Sequence, residues 1–323
     1  MSHTETYNSP SSSIAIDEHS NAGTTGKGLR LPDFLIIGSP KSGTTSLYHY
    51  LQRHPGVFMS TPKEMSFFSK DEVFARGLEW YGQLFQGARG DQICGEASTT
   101  YSRWPTYANT VDRIAERLPN AKLLYIVRSP VERLYSFYAH RMRDRVTTDI
   151  ASFLQETPEA IHSGRYYSQI EQYLKRFPRE QLHVLLLDDL KSDPTGTLEL
   201  VRSFLQLTDF NFLSESSVVA NRGQGQFAAT QSITAAIDRV KRVPGAKTLL
   251  NAIPPALRNG AFKWLQRGPI GSHLRSRHTG QLTPLTAELH AQLLEHFQDD
   301  LDRFEGFIGR DLSHWRQHRG HAE

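Results

Sequence analysis

The chain has 323 residues, a formal net charge of +3 and 38% hydrophobic residues. These values are typical of a globular protein that is long enough to bury a sizeable core. The mild positive charge does not call for a nucleic-acid partner, and none is expected. The single cysteine, Cys94, excludes an intrachain disulfide, and the spacing of His, Cys, Asp and Glu indicates no metal site.

The first 30 residues are rich in Ser, Thr, Asn and Gly and contain few large apolar side chains. Such a stretch cannot bury enough surface to offset chain entropy. We therefore expect a disordered tail over residues 1–30 and a single folded domain over residues 31–318. The N-terminus lacks the apolar core of a signal peptide, and no run approaches the ~20 apolar residues of a transmembrane helix. These features predict a cytoplasmic protein without a transmembrane segment.

The most informative stretch is an apolar run at residues 34–37, followed by a glycine-rich loop at residues 38–45 and a helical pattern. Strand, loop and helix in this order turn backbone N–H groups and a helix N-terminus toward a phosphate. The two glycines have Walker A spacing, but Thr44 stands where that motif has its lysine, and the lysine of this loop is Lys41. We expect Lys41 to contact a different part of the bound group, and the hydroxyls of Thr44 and Thr45 to bind a 5′-phosphate.

Residues 40–47, Pro-Lys-Ser-Gly-Thr-Thr-Ser-Leu, resemble the 5′-phosphosulfate-binding loop of sulfotransferases that use 3′-phosphoadenosine 5′-phosphosulfate (PAPS). The resemblance is closest to the group that includes heparan sulfate sulfotransferases and their bacterial relatives. It implies a metal-free site in which Lys41 also contacts the bridging oxygen of the donor. The implied donor-binding residues of the loop are Lys41, Ser42, Gly43, Thr44 and Thr45. Many animal relatives carry a Golgi membrane anchor, and this chain shows none, so a bacterial source is expected.

A second short strand is predicted at residues 57–60, and the loop after it contains Lys63 and Glu64. In open α/β sheets, ligands bind at the carboxyl ends of the strands. By pattern alone, an exposed Lys-Glu pair on a surface turn is the more common interpretation. The loop also resembles the Lys-Glu loop of the family, which implies that Glu64 is the catalytic base and that Lys63 lies near the acceptor.

A third strand is predicted at residues 92–95, followed by a loop that contains Ser98 and Tyr101. In several relatives a lysine follows the glutamate of this segment and contacts the acceptor. This chain has Ala97 at that position, so the contact is not carried over. Ser98 and Tyr101 are the remaining candidates for binding the acceptor here.

Residues 122–127 are the clearest predicted strand, with Arg128 at its end and a helical pattern after it. The period of that helix places Ser136 on the polar side together with Arg133. The segment resembles the 3′-phosphate-binding segment of the family, which implies that Arg128 and Ser136 bind that phosphate and select PAPS over ATP. An arginine fork matches phosphate geometry. A solvated helix face is the alternative.

The alternation of apolar runs with helical patterns predicts a three-layer α/β/α fold with a mainly parallel sheet. The resemblance implies the P-loop-like sulfotransferase version of this fold. The predicted strands lie near residues 34–37, 57–60, 92–95, 123–127 and 183–187. A last helix is predicted to start at residues 282–286 and to continue through Phe304. The basic residues before it are Arg222, Arg258, Lys263, Arg267, Arg275 and Arg277. Arg222 or one of the later arginines is a candidate for covering the 3′-phosphate. The alternatives are a solvated basic face and a surface that attracts an anionic saccharide.

The expected function is transfer of a sulfuryl group from PAPS to a hydroxyl or amine of an acceptor, either a glycan or a small molecule. One alternative is a P-loop kinase or nucleotidase, supported by the glycine spacing and by Asp188 at the end of a predicted strand. Another is a non-catalytic binder of anionic saccharides. The sequence leaves the acceptor and the oligomeric state open.

Overall fold

Five parallel strands form the sheet at the centre of the molecule, in a computed structural model that describes residues 28–142, 149–213 and 282–318. The strands are β1 (Phe34–Gly38), β2 (Val57–Met59), β3 (Ile93–Ala97), β4 (Lys122–Val127) and β5 (Leu182–Leu186). They are arranged in the order β2-β3-β1-β4-β5, and each neighbouring pair is parallel. The predicted strands and the mainly parallel sheet are confirmed.

Helices connect the strands and cover both faces of the sheet. In chain order, those in the described ranges are α1 (Thr44–Gln52), α2 (Asp71–Phe74), α3 (Gly77–Gly82), α4 (Thr110–Arg117), α5 (Pro130–Met142), α6 (Ile150–Glu156), α7 (Glu159–His162), α8 (Tyr166–Leu174), α9 (Leu187–Ser192), α10 (Pro194–Leu205), α11 (Ala287–Glu295) and α12 (Gln298–Ile308). Short 3₁₀ turns occur at Gln83–Phe85, Thr99–Ser102, Arg179–Gln181 and Ser313–Trp315. Among the described helices, none combines the length and apolar character needed to cross a membrane.

Side chains of the central strand alternate between two separate apolar cores. Leu35 and Ile37 of β1 pack on one side with residues of α4, α5, α8 and α12. Phe34 and Ile36 pack on the other side with residues of α1 and α10. Because successive side chains of a strand point to opposite faces, a strand that is apolar throughout is buried on both. The predicted three-layer α/β/α architecture is confirmed.

The strand order reverses at β1, which has β3 on one side and β4 on the other. In such sheets the carboxyl ends of the strands beside the reversal open into a crevice where ligands bind. Three segments leave the sheet at this edge: the glycine-rich loop after β1, the turn Thr99–Ser102 after β3 and Arg128 after β4. The topology therefore brings the predicted site segments together.

The predicted last helix is wrong in one respect, because the structure has two consecutive helices there, α11 and α12. Phe297 leaves helical geometry, with φ −122° and ψ −10°, and its ring is buried. The break exposes the carbonyl of His296, which accepts a hydrogen bond from Arg165 Nε at 3.2 Å. The apolar period continues across the break, so the sequence pattern did not reveal it.

The first described contacts of the chain with the sheet are made by Arg30. Arg30 donates hydrogen bonds to the carbonyl of Gln92 and, at 3.3 Å, to Cys94 Sγ. These contacts attach the chain to β3 before β1 starts. Residues 1–27 of the predicted tail, and the basic residues between 222 and 277, lie outside the described ranges, so those predictions remain untested.

Candidate active site

The glycine-rich loop (residues 38–45) leads directly into α1. The N–H of Leu47 bonds to the carbonyl of Gly43 at 3.1 Å and closes the first turn of the helix. The N–H groups of Thr44 and Thr45 come earlier, in the first turn, where the helix itself supplies no acceptor. Together with the positive end of the helix dipole, they form a site suited to an anion.

Three residues of this loop have positive φ angles: Gly38 at 154°, Lys41 at 68° and Gly43 at 92°. A Cβ on Gly38 would lie 1.8 Å from the Oγ of Ser102, so that position requires glycine. Left-handed residues inside such a loop turn successive N–H groups to one side, which is the arrangement that binds anions. The backbone of the loop is therefore shaped for a phosphate or a similar group.

The hydroxyl groups of the loop divide into two kinds. Ser39 Oγ and Ser42 Oγ are buried and lie 2.6 Å apart, so they brace the loop internally. Thr44 is also buried, but its Oγ1 lies 3.5 Å from Lys63 Nζ at the edge of the crevice. The side chain of Thr45 is exposed and Lys41 is half-buried. The roles of the Thr44 and Thr45 hydroxyls in binding a phosphate remain a prediction.

Arg128 connects the end of β4 with the glycine-rich loop. Its Nη1 lies 3.5 Å from the carbonyl of Lys41, and its Nη2 pairs with Glu132 Oε2 at 2.6 Å. Its Nε is buried and has no hydrogen-bond partner among the described residues. Ser136 is half-buried one helical turn beyond Glu132, on the same face of α5. The predicted pair, Arg128 and Ser136, thus lies on one side of that helix.

Arg133 was predicted on the polar side of α5, but that side is not exposed at Arg133. It is completely buried, its Nη2 donates to the carbonyl of Ala160 in α7, and burial lowers its pKa. Helix α5 is covered on two sides, because α7 packs where the helical period indicated a polar face. A buried guanidinium is unusual and needs hydrogen-bond acceptors. The sequence showed the period of the helix but not what covers it.

Glu64 is presented by a tight turn after β2. Its backbone has a φ of 64°, and its N–H bonds to the carbonyl of Ala97 at 2.9 Å. The N–H and the Oγ1 of Thr99 donate to Oε2 of Glu64 at 2.8 and 3.1 Å. The other oxygen, Oε1, pairs with Lys63. The carboxylate is held at three points, and the side chain of Glu64 as a whole remains 38% exposed.

Lys63 joins the Glu64 turn to the glycine-rich loop. Its ammonium group pairs with Glu64 and also lies 3.5 Å from Thr44 Oγ1 at the start of α1. The two segments predicted to hold donor and base, which are about 20 residues apart in the chain, therefore meet at one ammonium group.

Ser98 and Tyr101, the weaker candidates for acceptor contact, lie inside the protein. Ser98 is fully buried, and its hydroxyl bonds to the carboxyl of Glu96 and to the N–H of Ser66. Tyr101 is 2% exposed and its ring packs against Phe68. Both side chains brace the loops around Glu64, and a role for them in acceptor binding remains a prediction.

Glu96 is the residue that sequence inspection missed. It is fully buried in β3, and its carboxyl accepts hydrogen bonds from Ser98 Oγ and from Tyr81 Oη at 3.2 Å. Burial raises its pKa to about 7, the hydroxyls of Ser98, Tyr101 and Tyr81 oppose the rise, and the charge of Glu64 adds to it. A glutamate at the end of a predicted strand was visible in the sequence, but its burial depends on residues distant in the chain.

Asp188, which suggested a Walker B strand, is used for a different contact. Its Oδ2 accepts a hydrogen bond from Trp315 Nε1 at 2.7 Å and lies 3.4 Å from His314 Nε2. These bonds attach the final 3₁₀ turn to α9. A carboxylate that bonds to the final turn in this way helps to close the fold, which does not favour the Walker B interpretation.

Fold and site together define a class: a parallel α/β protein with an anion-binding loop where the strand order reverses and a carboxylate from the neighbouring turn. Residues 31–240 match the family model for the sulfotransferase domain. The match covers more than half of the chain, so the chain belongs to this family, and the resemblance found in the sequence is confirmed.

Curated relatives match parts of this chain. The human bifunctional heparan sulfate N-deacetylase/N-sulfotransferase 2 is 30% identical over 206 residues, covering 56% of this chain and 22% of that protein. Mouse heparan sulfate glucosamine 3-O-sulfotransferase 5 is 32% identical over 191 residues, covering 55% of this chain and 54% of that protein. The chain therefore aligns with about a fifth to about half of the length of these relatives.

A solved structure agrees over a longer range. The crystal structure of a sulfotransferase from Alicyclobacillus acidocaldarius superposes with a TM-score of 0.60 at 27% identity. The superposition covers 89% of this chain and all of that one. The sulfotransferase version of the α/β/α fold is thus present.

Proposed function

We propose that this protein transfers the sulfuryl group of PAPS to a hydroxyl or amine of an acceptor. The observation that carries the proposal is the meeting of the glycine-rich loop with the Glu64 turn through Lys63. This contact supports the proposal, because Lys63 joins the loop expected to bind the donor to the carboxylate expected to take the proton. Membership of the sulfotransferase domain family supports the same activity.

The transfer step needs one proton acceptor and one group that stabilises the leaving oxygen. An oxygen or nitrogen of the acceptor attacks sulfur and forms a new bond to it, while the bond from sulfur to the bridging phosphate oxygen breaks. The proton of the attacking group passes to Glu64, and adenosine 3′,5′-bisphosphate leaves with the electron pair of the broken bond. Lys41 is assigned to the developing charge on the bridging oxygen, by analogy with phosphoryl transfer, where positioning and charge stabilisation dominate.

The two phosphates of the donor are assigned to separate groups. The 5′-phosphate fits the N–H groups of Thr44 and Thr45 at the start of α1, together with the hydroxyls of the same two residues. The 3′-phosphate fits Arg128 and Ser136, which lie on one side of α5. Arg128 is paired with Glu132, and its buried Nε has no partner in the described ranges, so a phosphate would complete its hydrogen bonding.

A saccharide is the proposed acceptor, because the human and mouse relatives are named for heparan sulfate. The predicted acceptor contact Lys63 lies beside Glu64, where an acceptor hydroxyl has to approach. Ala97 replaces the lysine seen in several relatives, so this chain is expected to hold its acceptor with a different set of contacts. A small-molecule acceptor is the second possibility.

A kinase or nucleotidase fits the site less well. Thr44 occupies the position of the Walker lysine, and Asp188 is bonded to Trp315. A triphosphate site needs a lysine at the β- and γ-phosphates and a carboxylate near the magnesium ion. A non-catalytic saccharide binder would have no use for an exposed carboxylate anchored at three points.

The decisive experiment incubates the full chain with PAPS labelled in its sulfur atom and a panel of glycans, lipids and small alcohols. Label should appear in at least one acceptor in the presence of EDTA. Calorimetry provides a second test: adenosine 3′,5′-bisphosphate should bind without a metal and more tightly than ATP. Tighter ATP binding that depends on Mg²⁺ would instead support the kinase.

A further inference from the structure

The carboxyl of Glu96 lies beneath the turn that presents Glu64. None of its surface is exposed, and it accepts hydrogen bonds from Ser98 Oγ and Tyr81 Oη. Tyr101 interacts with it as well. Within the described ranges its hydrogen bonds thus come from hydroxyl groups and not from a cation. Burying a carboxyl without a cation lowers the stability of the folded protein. Groups with such perturbed pKa values are common at functional sites, which makes Glu96 a candidate for a functional role.

Ser98 connects this carboxyl with the Glu64 turn. Its Oγ donates to Oε1 of Glu96 and accepts the N–H of Ser66 at 2.8 Å. A hydroxyl has a single proton, so its donation to Glu96 orients the lone pairs of Ser98 toward Ser66. The orientation of one hydroxyl therefore couples β3 to the backbone two residues beyond Glu64.

The backbone of this turn needs such support. Glu64 and Ser66 have φ angles of 64° and 56°. In this left-handed conformation, residues other than glycine have a higher free energy. Such conformations persist where the surroundings hold them. Thr99, which directly follows Ser98, binds the carboxylate of Glu64 with its N–H and Oγ1. One segment after β3 thus holds the turn at Ser66 and the carboxylate at Glu64.

We propose that Glu96 is a positioning residue whose buried carboxylate, through Ser98, holds the left-handed turn that presents Glu64 to the acceptor. This inference rests on the proposed function, in which Glu64 takes the proton of the acceptor. Glu96 itself touches neither donor nor acceptor.

The ionisation of Glu96 gives the inference a distinctive readout. Burial raises its pKa to about 7, with the hydroxyl donors opposing the rise and Glu64 adding to it. Four titratable groups of the described residues interact with it: Tyr81 from α3, Tyr101 from the turn after β3, Tyr173 from α8 and Glu64 from the loop after β2. The three tyrosines have pKa values raised by burial, so they remain protonated donors in the same pH range.

A protonated Glu96 carboxyl needs an acceptor for its own O–H, so at least one of the hydroxyl donors around it has to turn. The orientation of Ser98 that holds Ser66 is therefore favoured by the carboxylate form. Transfer to a hydroxyl acceptor should increase as pH rises through the pKa of Glu96.

The test compares the transfer rate and the donor affinity of Glu96→Gln, Glu96→Ala and Ser98→Ala in the full chain. A misplacement of a catalytic group by about 1 Å can cost about a hundredfold in rate, so Glu96→Ala and Ser98→Ala should each lower kcat by up to that factor. Donor affinity should remain unchanged. The losses of kcat in Glu96→Ala and Ser98→Ala should not add when both substitutions are combined, because each removes the same hydrogen-bonded link.

Glutamine keeps the shape of Glu96 but cannot ionise. The ratio of wild-type to Glu96→Gln rates should therefore rise several-fold between about pH 6 and about pH 8, whereas a structural residue would give a constant ratio. Ser60→Ala is the matched control, because its buried Oγ has no hydrogen-bond partner among the described residues. A constant ratio, or a parallel loss of donor affinity and kcat in Glu96→Ala, would overturn the inference.

A measurement without turnover separates this inference from the proposed function. The amide nitrogen of Ser66, followed by NMR, should titrate with a midpoint near the pKa of Glu96 and should stop titrating in Glu96→Gln. If that amide titrates but the wild-type protein transfers no label to any acceptor, the proposed function fails while the link from Glu96 to the turn stands. If the amide does not titrate, the link fails whatever the activity.

Discussion

Replacing Glu96 with glutamine removes a buried carboxyl whose ionisation destabilises the folded protein. In the folded state its pKa is raised by burial from 4.5 to about 7. Below about pH 4.5 the group is protonated in both the folded and the unfolded chain, so it gives no pH-dependent cost. Between about pH 4.5 and about pH 7, the carboxyl of Glu96 loses its proton in the unfolded chain but keeps it in the folded chain. The stability of the wild-type protein therefore falls over this interval and stays lower above it.

The size of the effect follows from the same two pKa values. Each pH unit is worth about 1.4 kcal/mol, so the cost reaches about 3 kcal/mol above neutral pH. Glutamine does not ionise, so the Glu96→Gln variant does not lose this stability as the pH rises. The stability of the variant minus that of the wild type should therefore grow by about 3 kcal/mol between about pH 4.5 and about pH 8. Any constant difference in hydrogen bonding cancels in this comparison.

Urea denaturation of both proteins across this pH range measures the effect, with Ser60→Ala as the control that should follow the wild type. Glu64→Gln provides a second comparison. Because the charge of Glu64 contributes to the raised pKa of Glu96, this variant should show a smaller fall in stability as pH rises. An equal stability difference between Glu96→Gln and the wild type at low and high pH would refute the argument that Glu96 is buried without a compensating cation.

Three further predictions concern the donor, the base and the N-terminus. Lys41→Ala should weaken donor binding by roughly 1.5–3 kcal/mol, as for a lost charge-assisted hydrogen bond, and should also slow transfer; unchanged donor affinity by calorimetry would contradict its role. Glu64→Gln should leave donor affinity nearly unchanged and reduce the transfer rate by about 10²- to 10⁴-fold, and near-normal transfer would place the base elsewhere, with His49 and His140 tested next. Deleting residues 1–27 should preserve bisphosphate affinity and thermal stability, and a loss of affinity would make the tail part of the site.

The sequence by itself determined the local parts of this protein. Apolar runs predicted the five strands, because a parallel strand buried on both faces must be apolar throughout. The glycine-rich loop was recognisable for a similar reason: an anion is bound by consecutive N–H groups and a helix start, so all its parts are adjacent in the chain. These local signals were sufficient to identify the sulfotransferase family.

Only the tertiary structure decided which side chains are buried and which loops meet. The helical period placed Arg133 on a polar face, but α7 covers it. Lys63 was visible as a neighbour of Glu64, whereas its approach to Thr44 requires β1 and β2 to lie in the same sheet. In the sequence, Glu96 is an ordinary residue at the end of a predicted strand. In the structure it is buried next to Tyr81 and Tyr101. Burial and the pKa changes that it causes depend on residues far apart in sequence, so no local pattern can reveal them.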